Sequence, residues 1–460
     1  MAMSRRMLAL LMSGGLVLAG CSASPVGSPS PGVETPTAVP TPITTPVATP
    51  QPTPGADGII LLQASVPRAT ATAADAARAA SAVNAFGLDL FSRVVSSDSN
   101  SVVSPASIAL ALGMARAGAV GTTAAEMDSV LHDVASPANA ALLNALSQAL
   151  ASRSATYEDP EGVARDVTLR IANAPFVQEG MNVQQAYLDA LASLYGAGLR
   201  LVDYAGDPEG SRQLINAWVA AQTEQRIKEL LAAGDIGPQT RIALVNAIYL
   251  QAPWTWPFDE HDTKPATFTR ADGSKVSVPL MQGMLLARRY AEGDGWQAVE
   301  LPFLGGTMAM TLILPDDLAS FEAGLDADRF AGIVSQLDYA EATVELPRFS
   351  IRTHASLVQA LQALGMTTAF GPQADFSGIT HDLPLQISDV IHEATIDVDE
   401  AGTIATAATA VTGLGGAGEP PKIYDVRLDH PFLFALRDLE TGTVLFLGHV
   451  VDPSVGAGGD

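Results

Sequence analysis

At 460 residues the chain is long enough for two or three domains, and 48% hydrophobic residues supply ample material for a large core. Its 25 Lys and Arg against 49 Asp and Glu give a formal charge of −24, with no basic cluster on any predicted face. This argues against nucleic acid or a polybasic membrane surface as a partner. The single cysteine, Cys21, excludes an internal disulfide, so the fold has to rest on packing.

Arg5 and Arg6 precede an apolar run from Met7 to Leu18. That run is too short to cross a hydrocarbon core of ~30 Å as a helix and has the length of a signal-peptide hydrophobic region. Leu18-Ala19-Gly20-Cys21 resembles a bacterial lipobox. The resemblance implies cleavage before Cys21 and lipidation at Cys21, which makes a lipid membrane a partner and places the protein outside the cytoplasm, anchored to a bacterial membrane or cell surface. An ordinary secreted signal with an incidental cysteine is the other reading. Pro, Thr, Ser, Val and Gly dominate from Ser22 to Gly58, as in Thr49-Pro50-Gln51-Pro52-Thr53-Pro54. Such chain cannot form a core, and as polyproline II at ~3.1 Å per residue it reaches up to ~100 Å. The expected division is a signal peptide over 1–20, a lipidated cysteine and disordered tether over 21–70, a globular domain over 71–453, and a flexible tail over 454–460.

Within the globular part, Val83, Phe86, Leu90 and Val94 predict an amphipathic helix from Asp75 to Val95. A short strand at Asn100–Val103 turns into a helix with Ser104 as N-cap and Pro105 as first residue, where a missing donor costs nothing. That helix stops at Gly118 or Gly121, and Thr122 to Met127 starts another. The spacing of Ile215, Val219, Ile227, Leu230 and Leu231 predicts one further helix. Strands are expected over Arg241–Leu250, Thr307–Leu314, Thr343–Ile351 and Leu385–Val398. Long β segments between helices, without a regular βαβ rhythm, indicate a mixed α and β fold.

Several segments then carry a resemblance in order along the chain. Ser104-Pro105-Ala106-Ser107-Ile108, Ile215-Asn216-Ala217-Trp218-Val219, Val245-Asn246-Ala247-Ile248-Tyr249 with Trp254, and Glu300-Leu301-Pro302-Phe303 come first. Leu346-Pro347-Arg348-Phe349, Phe376-Ser377-Gly378-Ile379, Ile387 to Ala394 and Asp429-His430-Pro431-Phe432-Leu433-Phe434 continue the series. From about Asn84 to Pro453 the chain resembles the serpin family of serine protease inhibitors. The resemblance implies a single α+β domain with three β-sheets, about nine helices and an exposed reactive-centre loop. It also implies a monomeric suicide substrate. A serine protease outside the cytoplasm attacks the loop, and the severed loop inserts into the main sheet with the protease held covalently, 1:1.

The loop can be tested against that demand. Glu400 to Ala417 carries no charge after Glu400 and no proline. If Thr403 faces inward, so do Ala405, Ala407, Thr409 and Val411, all small and neutral as an inserting strand requires. Gly402 offers the hinge beside Glu400. Counting from Glu400 as the family does puts the cut at Gly416-Ala417, with Leu414-Gly415 as the competing bond. Either suits an elastase-like or subtilisin-like target. By resemblance, Ser104, Ser107, Asn246 and His392 form a buried polar cluster, the shutter, and Trp254 marks the breach where insertion begins. A satisfied core network and an ordinary core aromatic are the structural alternatives. Gly413 to Gly418 also fits a dinucleotide fingerprint, but Glu419-Pro420-Pro421 blocks the helix it needs. No nucleophile elbow appears, and His392-Glu393 lacks a second zinc histidine. No catalytic residue, metal or cofactor is expected. A serpin fold that binds at a surface without inhibiting is the rival reading.

Overall fold

The computed structural model describes residues 53–54, 58–403 and 422–455. All lie within one compact unit, Pro50–Asp460. Nine α-helices and two nine-stranded sheet networks make up the described residues.

The first helix, Ala73–Val94, starts where the Thr72 hydroxyl accepts the Asp75 amide at 3.1 Å. It buries Val83, Phe86 and Leu90, the predicted stripe. Ser104 caps the helix Pro105–Arg116 by accepting from the Ser107 amide at 3.3 Å, and Pro105 takes the first turn. Every residue of this second helix is buried, so it runs through the centre of the molecule. Gly87 makes the crossing of the two helices possible: a Cβ there would lie 2.4 Å from the Pro105 ring.

In the first sheet the hydrogen-bonded order is Thr53–Pro54, Ile60–Leu62, Leu199–Val202, Ala164–Gln178, Ile242–Pro253, Asp389–Val398 and Phe349–Ser356. Ile242–Pro253 sits in the middle and has both faces covered. Leu244, Ile248 and Leu250 join the large core that includes Phe86, Leu90 and Ile108. Ala243, Val245 and Ala247 join a second core with Phe176, Ile215 and Trp218, under the helix Pro208–Gln222. This period-two division explains a strand that reads as an almost unbroken apolar run.

The second network runs from Ile423–Arg427 through Asp338–Pro347, Lys275–Gly293, Trp296–Pro302, Met308–Pro315, Phe432–Asp438 and Val444–Val450 to Ser101–Val103. Where separate second and third sheets were expected, one continuous network appears. Lys275–Gly293 bridges its two parts: the first half pairs with Lys264–Thr269 and the second with Trp296–Pro302.

Three boundaries differ from expectation. The stretch 58–70, read as tether, is packed onto the body: Ile60–Leu62 pairs antiparallel with Leu199–Leu201 and Ile59 is 2% exposed. The helix over Ile215 ends at Gln222, because Glu224 and Gln225 take φ of 52° and 63°. Ile227, Leu230 and Leu231 are buried all the same, from irregular chain rather than a helix. Thr343–Ile351 belongs to two strands, Asp338–Pro347 and Phe349–Ser356, each in a different sheet.

Candidate functional site

Two parallel neighbours in the first sheet, Asp389–Val398 and Ile242–Pro253, are only half joined. Their pairing runs from Asp389↔Ala243 to Ala394↔Ile248 and goes no further. In the upper part Gly402 and Thr403 lie antiparallel against Pro253 and Ala252 instead. The first residues after the turn have therefore entered the top of the sheet beside its central strand.

Local chemistry fixes this turn. The Asp399 carboxylate accepts from the amides of Ala401 at 2.9 Å and Gly402 at 3.1 Å, and the Asp399 amide donates to the Gly402 carbonyl at 3.0 Å. Burial pushes the Asp399 carboxyl above its ordinary range, partly offset by those two bonds. Gly402 has φ +148°, and a Cβ there would meet the Ala252 carbonyl at 2.4 Å, so only glycine fits. Thr403 is 1% exposed, with its hydroxyl accepting the Ala252 amide at 3.0 Å. Glu400 is buried beneath the turn, and its Oε1 takes Nε of Arg348 at 2.7 Å and Nη2 at 2.6 Å, with the Thr263 hydroxyl as a third donor. That satisfies a carboxylate that would otherwise be costly to bury.

Trp254 closes the cleft. Its amide donates to the Ala401 carbonyl at 2.9 Å and its indole Nε1 to the Asp399 carbonyl at 3.0 Å. The ring stacks on Phe303 at 4.6 Å. Trp254, named from the sequence as breach, thus binds two carbonyls of the turn itself, those of Asp399 and Ala401.

Lower in the sheet, Ser104, Ser107, Asn246 and His392 come together, each completely buried. His392 stands opposite Asn246 in register, and Asn246 opposite Asn173. The Ser104 amide donates to His392 Nε2 at 3.2 Å, which leaves the imidazole proton on Nδ1 for the Asn246 carbonyl oxygen. Asn246 in turn donates to Asn173 Oδ1 at 2.7 Å and to the Ser107 hydroxyl. Burial, with a smaller contribution from His354, pulls the His392 pKa down to about 3, so the ring is neutral at pH 7. Asn173, which donates to the Ser107 carbonyl at 2.8 Å, escaped the sequence reading. Its signal was a lone amide inside the apolar run Ile171–Phe176, the same signal that marks Asn246.

This polar rung crosses three adjacent strands at the level where their pairing is complete, and the hinge lies where it stops. Parting the lower strands would break the buried Asn246–His392 bond, at the usual cost of leaving a buried polar group unpaired. Ala405, Ala407, Thr409, Leu414, Gly415, Gly416, Ala417 and Cys21 lie outside the described residues. No cluster of three or more His, Cys, Asp or Glu suited to a metal occurs among the described residues.

Residues 81–453 match the family profile described as Serpin (serine protease inhibitor). An uncharacterised serpin-like protein of Thermococcus kodakarensis is 37% identical over 380 residues, covering 82% of this chain and 86% of that protein. Iripin-8 of Ixodes ricinus is 34% identical, covering 81% of this chain and 92% of that protein, and human Serpin B3 33%, covering 80% and 97%. Among solved structures, the native state of the thermophilic serpin tengpin superposes with a TM-score of 0.74 at 27% identity, covering 85% of this chain and 97% of that one.

Proposed function

Because the chain belongs to the serpin family, we propose that it inhibits a serine protease outside the cytoplasm as an irreversible suicide substrate. Members of the family are generally protease inhibitors rather than enzymes. The observation that carries the reading is the half-closed sheet: Gly402 and Thr403 occupy the top of the gap beside Ile242–Pro253 while Asp389–Ala394 still seals it below.

Attack of the protease serine on the loop carbonyl forms an acyl-enzyme and releases the new amino terminus. The freed segment then continues the course that Thr403 has begun. Its inward set, Ala405, Ala407 and Thr409, has no bulk or charge to desolvate. With ~3.3 Å per residue, about fifteen residues carry the attached enzyme ~50 Å. A misplacement of even ~1 Å in its active site costs ~100-fold in deacylation, so the ester persists as a covalent 1:1 complex. The bond cut is Gly416-Ala417 or Leu414-Gly415, which suits an elastase-like or subtilisin-like protease. The chain acts as a monomer and is held to a membrane by lipid on Cys21.

Incubation with pancreatic elastase and with subtilisin, followed by a denaturing gel and mass spectrometry, tests the reading. A covalent adduct cut at one of the two bonds is expected. Clean cleavage with no adduct for either enzyme would overturn it in favour of a surface-binding protein without inhibition.

A further inference from the structure

The strand Ala164–Gln178 outruns its neighbour. Its pairing with Ile242–Pro253 ends at Thr168↔Gln251, and residues 164–167 continue for ~13 Å paired with Ala155–Glu158 instead. The resulting hairpin stands at the end of the first sheet where Gly402 and Thr403 enter. Both flank the same central strand, Thr168 at Gln251 along one edge and Thr403 at Ala252 along the other. Two strand spacings, ~10 Å, separate them.

The hairpin holds its shape without burying its tip. There the Asp159 carboxylate accepts from the amides of Glu161 at 3.1 Å and Val163 at 2.8 Å and from Arg165 Nε at 3.1 Å. The Asp159 amide donates to the Val163 carbonyl at 2.9 Å, and Gly162 supplies the φ of +79° that closes the turn. Across the ladder the Thr156 hydroxyl donates to Asp166 at 2.6 Å. At the base the Tyr157 ring lies on Gly305, where a Cβ would strike it at 2.5 Å. The neighbouring Leu304 amide donates to the Pro253 carbonyl at 2.8 Å, so the hairpin is seated on the same chain that caps the central strand. Glu158, Pro160, Glu161 and Val163 are exposed, Val163 at 46%.

An exposed valine on a pre-ordered tip offers a partner contact at little ordering cost, and its position indicates the partner. A protease domain of about 200 residues is ~40 Å across, several times the distance from hinge to hairpin, so an enzyme seated on the loop rooted at Gly402 reaches the tip. We propose that the tip, residues 160–163, is a second contact for the attacking protease, one that sets which enzyme is engaged rather than how the trap closes. Val163 packs into an apolar depression beside the enzyme's substrate cleft, and Glu158 and Glu161 meet a basic rim around it. The contact rests on the reading of the chain as a protease inhibitor, but it forms on encounter, before any bond is cut.

Binding of the full chain to subtilisin and to pancreatic elastase, each with its catalytic serine changed to alanine, measures the encounter without chemistry. Adduct formation with the active enzymes, run in parallel, measures the trap. Against at least one of the two, Val163→Asp and Glu161→Lys are each expected to weaken binding of the inactive enzyme about threefold or more. Adduct formation should slow by a similar factor, with the partition between adduct and cleaved chain unchanged. No binding of either inactive enzyme, variants that match the parent protein with both, or a shift in partition at unaltered affinity would each overturn the contact. Weakened binding by the variants where the active enzymes give the parent no adduct would uphold the contact and overturn the inhibitory reading alone.

Discussion

His392 stays uncharged because its ring is completely buried and accepts the Ser104 amide on Nε2, an arrangement that protonation would destroy. Its pKa of about 3, against an ordinary 6.5, means that between those values the unfolded chain binds a proton that the folded chain refuses. The stabilisation is therefore complete above pH 6.5 and declines as pH falls toward 3. Thermal midpoints measured across that window should fall more steeply for the parent protein than for His392→Gln, and parallel curves would refute the assignment. Asn173→Ala removes bonds to Ser107 and Asn246 at once and is expected to cost about 1–3 kcal/mol in a denaturant titration. The buried grouping of Ser104, Ser107, Asn246 and His392 was legible only through family resemblance, because nothing in local spacing joins residues 104, 107, 246 and 392. Asn173 carried the matching local signal, a lone amide in an apolar strand, but only strand register shows that it faces Asn246.

Among the elements, the hinge makes the sharpest demands. Thr403→Arg forces a charge into a position that is 1% exposed beside Ala252. The expected result is an inhibitor turned substrate, seen as cleaved protein at the expense of covalent adduct. The helices and central strands were readable because hydrophobic period and capping agreed, as at Thr72 and at Ser104-Pro105. The failure after Gln222 is instructive: Ile227, Leu230 and Leu231 are buried as a helix would bury them, so apolar spacing alone hides the break. Two consecutive non-glycine residues in the left-handed region make that break, and such a conformation costs ~1–2 kcal/mol per residue. Gln225→Gly is accordingly expected to raise stability by about 1 kcal/mol in urea unfolding. A loss would mean that the Gln225 side chain holds the turn.

For the molecule as a whole, pairing of Asp389–Val398 with Ile242–Pro253 stops at Ala394↔Ile248, and in the proposed mechanism the cleaved loop extends the sheet from there. Cleavage in the loop by any protease that does not stay attached should therefore raise the melting temperature, and an unchanged transition would show that insertion does not follow. Length suggested several domains, whereas composition could not reveal that one long strand, Lys275–Gly293, would knit the second network into a continuous body. The same limit concealed the docked segment near residue 60, whose Ile60-Leu61-Leu62 is too short to announce a strand beside a proline-rich neighbour.

That docked segment also sets how the body takes up mechanical load. A pull arriving from the preceding residues meets the pairing of Thr53–Pro54 with Ile60 and Leu61 first, then the ladder between Ile60–Leu62 and Leu199–Leu201, then the clasp of Arg68 on Asn144 and Ser147, and only afterwards the cap of the first helix at Thr72. The hinge at Gly402 lies on the other side of the central strand, away from this line of force. Tension is thus absorbed at an outer edge, and the turn at Gly402 remains slack.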